Sequence, residues 1–215
     1  MAHTRLFFLY LQKESTKMNY LAHVYLSGAN DLIKIGNFMA DSVKGNQYIK
    51  YDKELQLGIL LHRHIDSYTD AHPIYRQSKH RLHEKYGHYS GVIMDILYDH
   101  FLAKNWEKYN AISLPDFARD FYKILENNLD LLPEKTTKIV PYLVTQNWFE
   151  SYASVTGIEK ILLQMDYKTQ HRVAMHEAVV ELKNNYKEFE NEFTLFFEEL
   201  KESSKIKITE LYEIL

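Results

Sequence analysis

The chain has no cysteine, which excludes a disulfide framework, a thiolate metal site and a cysteine nucleophile. Glycine and proline are scarce, at 7 and 4 residues, too few for a turn-rich all-β fold. No apolar stretch is long enough for a membrane span. The run near the start, Leu6-Phe-Phe-Leu-Tyr-Leu11, is 6 residues, against the ~20 that a spanning helix needs. Lys13, Glu14 and Lys17 follow it at once, unlike a secretory signal. An excess of positive charge is missing too. The formal net charge of -3 argues against a general nucleic-acid binder. There is no glycine-rich phosphate loop, GxSxG elbow, internal repeat or low-complexity tract. We therefore expect a cytoplasmic protein with neither a membrane nor a nucleic acid as partner.

What is present is 46% apolar and 26% charged residues over 215 positions, enough for one well-packed domain. Tyrosine at 17 and phenylalanine at 11 supply most of the large core side chains. Apolar residues recur at helical spacing and nowhere alternate as in strands. The expected class is all-α, a single-domain multi-helix bundle of about eight to ten helices. Helices are expected from Tyr20 to Ser27, from Asn30 or Asp31 to Val43, from Asp52 to the break before Pro73, and from Val92 to Trp106. A long one is expected from Thr169 to Ser203, with Tyr186, Phe189, Phe193, Phe196 and Leu200 as its buried stripe.

Two stretches carry chemistry. In Gly58-Ile-Leu-Leu-His-Arg-His-Ile-Asp-Ser-Tyr-Thr-Asp70, His62 and Asp66 lie one turn apart on the face that holds Leu55, Ile59 and Ile65. A carboxylate on an apolar stripe is costly unless it is paired or binds a cation. An isolated HxxxD is as readily a hydrogen-bonded structural pair. A second site shifts that balance. Asp95 and Asp99 fall one turn apart with Val92, Leu102 and Trp106, where like charges repel unless a cation or a strong partner intervenes. His100 reaches that face only from its edge. Without cysteine, a metal would be held by His, Asp, Glu, Asn or water, a set suited to Mn, Mg, Fe or Zn. His23, within Leu21, Val24 and Leu26, and Asp41, one turn after Asn37, are read alone as a core histidine and a surface carboxylate.

Between His72 and His88, Arg76, Lys79, Arg81 and Lys85 face one acid, Glu84, which is four minus one or a local +3. That is either a solvated basic face or a docking surface for an acidic partner or a phosphate. Several helices donating His and Asp to one core site describe a metallohydrolase, in which the metal lowers the pKa of a bound water and offsets phosphoryl charge. Metal-assisted hydrolysis of a phosphate ester is the leading class. A metal phosphohydrolase acting on a small nucleotide or other phosphodiester, and a non-enzymatic helical binding module, stay open beside it.

The motifs Met18-Asn-Tyr-Leu-Ala-His23, Gly36-Asn-Phe-Met-Ala-Asp41 with Val43-Lys-Gly45, His62-Arg-His-Ile-Asp66 with Thr69-Asp70, and Asp95 with Asp99-His-Phe-Leu102 occur in this order. Together with a looser segment around Trp148, they resemble the acyl carrier protein phosphodiesterase family over residues 18 to 200. The resemblance implies a distant, all-helical relative of the HD-type phosphohydrolases that depends on a divalent metal, usually Mn, with Mg or Fe as alternatives. The implied reaction removes the 4'-phosphopantetheine arm from holo acyl carrier protein. It also implies residues 1–17 as an N-terminal extension and 18–215 as the helical phosphodiesterase domain. His23, Asp41, His62, Asp66, Asp99 and His100 match the family's polar positions, and Asp95 matches as a residue that touches the metal or one of its ligands. His62, Asp66 and Asp99, with His23 or Asp41, are then the expected metal holders. Arg63 and Lys44 are candidates to steady phosphate charge, and Arg76, Lys79, Arg81 and Lys85 to meet the acidic carrier protein.

Overall fold

The structure, a computed structural model, describes residues 20–215. The expected extension 1–17 lies outside the described residues. Among the described residues every regular element is helical. The first two are α1 (Tyr20–Leu26), after which Gly28 turns the chain at φ +73°, and α2 (Asp31–Met39). The Asn30 side chain caps α2 by accepting from the amides of Leu32 and Ile33. The α-helix stops at Met39, short of Val43, and a 3-10 turn over Ala40–Ser42 finishes the segment. A second 3-10 stretch, Gly45–Lys50, leads to α3 (Lys53–Ala71), which ends before Pro73. Pro73 opens α4 (Pro73–Tyr86), and Gly87 at φ +53° turns the chain toward α5 (Ser90–Lys104).

The second half consists of α6 (Leu114–Asn127), three short helices, α7 (Glu134–Thr137), α8 (Val140–Thr145) and α9 (Trp148–Ser151), then α10 (Val155–Lys168), α11 (Ala178–Asn184) and α12 (Tyr186–Ile214). The single helix expected from Thr169 to Ser203 is therefore broken, and the long helix begins later and runs further. Gln170 and His171 take the left-handed conformation, at φ +58° and +55°. Buried Asp166 accepts from the Met175 amide at 2.6 Å and engages the His176 ring, so it anchors a turn where apolar periodicity continues the helix. The aromatic stripe of α12 packs as expected, with Phe189, Phe193, Phe196 and Leu200 all buried. Between α2, α6 and α9, Phe121 and Phe149 stack at 5.6 Å and Phe121 meets the edge of Phe38.

The contact that positions the site is the crossing of α2 and α3. It is made by glycines. A Cβ on Gly36 would overlap the Leu55 carbonyl, and one on Gly58 would overlap the Ile33 carbonyl. The backbones touch, so Asn37, next to Gly36, reaches His62, one turn after Gly58. Replacing Gly58 by alanine should destabilise the fold by about 1–3 kcal/mol, since the added methyl meets backbone that cannot rotate away. Urea denaturation checks this, and unchanged stability would mean that the helices can part freely.

Candidate metal centre

Three elements bring four polar side chains together. His23 comes from α1, Asn37 from α2, and His62 from α3, while Asp66 sits one turn further along α3. All three of His23, Asn37 and His62 are buried, with Asn37 wholly so. The two imidazole rings stack at 4.2 Å.

The hydrogen bonds around Asn37 fix the state of both rings. Ser27 Oγ donates to the His23 carbonyl at 2.8 Å, so toward Asn37 it is an acceptor. The amide nitrogen of Asn37 donates to Ser27 Oγ and to the same carbonyl, each at 3.0 Å. Its oxygen must then face the histidines, and it accepts from His23 Nδ1 at 2.9 Å and His62 Nδ1 at 3.0 Å. Both histidines carry hydrogen at Nδ1. Each therefore aims Nε2 inward, and among the described residues neither Nε2 makes a hydrogen bond although both are buried. Histidines that hold a metal commonly donate their other N–H in this way.

Carboxylates face those nitrogens. Asp66 Oδ1 lies 3.5 Å from His23 Nε2, and Asp66 Oδ2 lies 3.4 Å from His62 Nε2. Asp41, in the 3-10 turn after α2, lies 3.4 Å from His62 Nε2. Atoms of His23, His62 and Asp66 come within 4.8 Å of one another. Two ligand atoms each about 2.1 Å from one ion sit roughly 3–3.5 Å apart. The spacing, the orphaned buried nitrogens and the hard oxygen and imidazole donors all fit one divalent cation.

The electrostatics agree. Burial opposes a charge on His62, but Asp41 and Asp66 outweigh it and raise its pKa to about 9. Burial, with His62 beside it, pushes His23 down. Burial alone would raise Asp66, yet the two imidazoles hold it well below the usual carboxylate range. Without a cation, one proton on His62 occupies the place of positive charge. Below pH 9 a cation must displace it, so apparent affinity should rise about tenfold per pH unit toward pH 9 and then level off. Calorimetry in buffers of different ionisation enthalpy should show about one proton released per cation at pH 7. No release would mean that His62 is already neutral.

The other expected residues go elsewhere. Asp99 is fully buried, and its oxygens accept from the backbone amides of Leu21 at 3.1 Å and Ala22 at 2.9 Å, so it caps α1. Burial raises its pKa to about 8, the two amides oppose that, and the Asp95 charge adds to it. Both nitrogens of His100 are taken, Nδ1 by the Tyr152 carbonyl and Nε2 by the Tyr186 hydroxyl. Asp95 is half-buried and accepts from the Tyr75 hydroxyl at 2.6 Å. The structure thus brings none of Asp95, Asp99 and His100 into the His23–His62–Asp66 cluster. Arg63 donates to the carbonyls of Val43 and Gly45 and packs over Tyr48, clamping the loop after Asp41. Lys44, between those carbonyls, is exposed. In the basic stretch, Arg81 forms a bidentate pair with Glu192, and Lys85 pairs with Glu177 and Glu181. Arg76 is exposed, and Lys79 lies 3.9 Å from Asp70. Asn37 was not among the expected site residues. Its signal was a fully polar side chain amid Ile33, Ile35, Phe38 and Met39, which must be satisfied once buried.

These features define an all-helical protein with a buried histidine–aspartate centre suited to one divalent cation. Comparison with known proteins narrows that class. The chain belongs to the acyl carrier protein phosphodiesterase family, whose model matches residues 18–200. It is 32% identical to the acyl carrier protein phosphodiesterase of Photorhabdus laumondii, over 88% of this chain and 96% of that protein. It is 31% identical to that of Pectobacterium atrosepticum, over 87% and 98%, and 29% identical to that of Serratia proteamaculans, over 88% and 99%. No solved structure matches the chain.

Proposed function

We propose that this protein hydrolyses the phosphodiester joining 4'-phosphopantetheine to a serine of acyl carrier protein, with a divalent cation held by His23, His62 and Asp66 and approached by Asp41. The observation that carries the centre is the pair of buried, hydrogen-bond-free Nε2 atoms aimed at Asp66. The substrate comes from the family. A cation bound there lowers the pKa of water and offsets charge on the phosphoryl oxygens. The chain's own residues prepare for it. Asn37 Oδ1 holds both imidazoles in one tautomer, and Asp66 spans the two. Water adds to phosphorus, the bond to the serine oxygen breaks, and that oxygen leaves as the serine hydroxyl of the apo protein. Manganese is the ion that the family resemblance implies, and a set of imidazole and carboxylate donors is compatible with it as well as with the borderline metals. Among the described residues no helix is long and apolar enough to cross a membrane, which is compatible with a cytoplasmic carrier protein as substrate. With Arg81 and Lys85 engaged by Glu192, Glu177 and Glu181, the acidic partner would meet mainly Arg76 and Lys79.

Incubating holo carrier protein with the enzyme and Mn should give the apo form by intact mass, and chelation should stop it. An unchanged mass would reject this substrate. Hydrolysis of small phosphodiesters without that conversion would point to a nucleotide-type substrate instead.

A further inference from the structure

Beside the metal centre, and sharing Asp66 with it, lies a cavity of about 350 Å3. Thr69 and Asp70 continue its α3 side. Tyr75, Lys79 and His83 form the α4 wall, and Ser90, Gly91, Val92 and Asp95 the α5 wall. Its size is that of a small-molecule pocket and not of a protein interface. The chemistry is mixed but ordered. Tyr75 donates to Asp95 at 2.6 Å, and burial, reinforced by Asp95, raises its pKa well above the ordinary value, so the hydroxyl keeps its proton. Lys79 packs over the Tyr75 ring at 5.3 Å and stands on the α4 wall. Val92 gives an apolar patch, and Thr69 and Ser90 are uncharged hydroxyl residues.

We propose that this cavity receives the pantetheine arm while the phosphate sits at the cation site that Asp66 shares with the cavity. A linear chain of two amides and a hydroxyl, broken by a gem-dimethyl group, matches a narrow pocket of hydroxyl, peptide and carboxylate groups with one apolar patch. The inference rests on the reaction proposed above, and deepens it by assigning recognition of the pantetheine arm to residues outside the metal centre. Gly91 is the position that decides. It lines the cavity, and a Cβ there would meet only Lys79 Cδ at 3.8 Å and the Tyr75 hydroxyl at 4.0 Å. A larger side chain therefore has room to attach but must fill the pocket. It also replaces a helical glycine, which favours folding.

The test uses full-length protein, with D-pantetheine as the probe. Wild-type protein should bind pantetheine in calorimetry. Gly91→Leu should weaken that binding, and raise the KM for holo carrier protein, by about tenfold or more, with the melting temperature not lowered. Leu195→Ala, on the exposed face of α12, should behave as wild type. If holo carrier protein is not a substrate at all, pantetheine binding that Gly91→Leu abolishes still supports the pocket. Wild-type protein that ignores pantetheine, or a Gly91→Leu variant with unchanged affinity and KM, would overturn it.

Discussion

Asp66→Asn should abolish cation uptake and lower kcat/KM by about a thousandfold or more, the loss of several kcal/mol of metal-derived stabilisation. Among the described residues Asp66 is the carboxylate that faces both inward nitrogens, His23 Nε2 at 3.5 Å and His62 Nε2 at 3.4 Å. Asparagine keeps its shape but supplies a neutral oxygen where a hard cation needs charge. The side chain is 23% exposed, so the substitution leaves no large buried defect. Asp41→Asn should cost much less, because Asp66 faces the nitrogens of both histidines whereas Asp41 lies at that of His62. Metal content by elemental analysis and turnover of holo carrier protein are the two readouts. An Asp66→Asn protein that still carries metal and turns over at the wild-type rate would remove Asp66 from the centre.

Asn37→Leu should act on stability and metal binding together. The substitution keeps the number of side-chain heavy atoms but strands the Nδ1 hydrogens of His23 and His62, and removes one bond each from the Ser27 hydroxyl and the His23 carbonyl. Each buried group left unpaired costs about 1–3 kcal/mol, and the carbonyl keeps its bond from Ser27, so a total of roughly 3 kcal/mol or more follows. Cation affinity should also fall by about 10–100-fold, since the rings lose the group that sets their tautomer. Asn37→Asp separates the two effects. It keeps an acceptor for both imidazoles and loses the donor to Ser27, so affinity should survive better than stability. Equal losses in the two variants would mean that Asn37 only fills space.

The helical class and the His62/Asp66 pair were legible in the sequence because both depend on local spacing. One turn of helix puts those two side chains on one face in any packing. His23 and Asp41 could not be joined to them by spacing, since three separate segments must converge first. Family resemblance supplied that link. Asp95 and Asp99 show where periodicity misleads. Both face inward, as one face of α5 requires, yet Asp99 meets the open amides at the start of α1. The open amides of a helix start can also take up a buried carboxyl group, and no pattern within α5 reveals whether it will meet those or a cation. Arg81 and Lys85 fail for the same reason, since their acidic partners lie more than ninety positions later. The late start of the last helices was hidden because Asp166 stabilises a turn after Lys168 by contacts that hydrophobic periodicity does not register.

The glycine crossing of α2 and α3 determines how the centre can adapt to ions of different radius. With backbone against backbone, the gap between the helices has no side chain to compress or rotate. Asn37 then ties both imidazoles to that rigid spacer, so the nitrogen donors form a fixed jaw. Only the oxygens can adjust, Asp66 by torsion about its own bonds and Asp41 through the short turn that carries it. Discrimination between a smaller and a larger ion would thereby fall to Asp66 and to Asp41, with the loop that Arg63 pins behind Asp41, while the histidines would hold the ion at a fixed spacing.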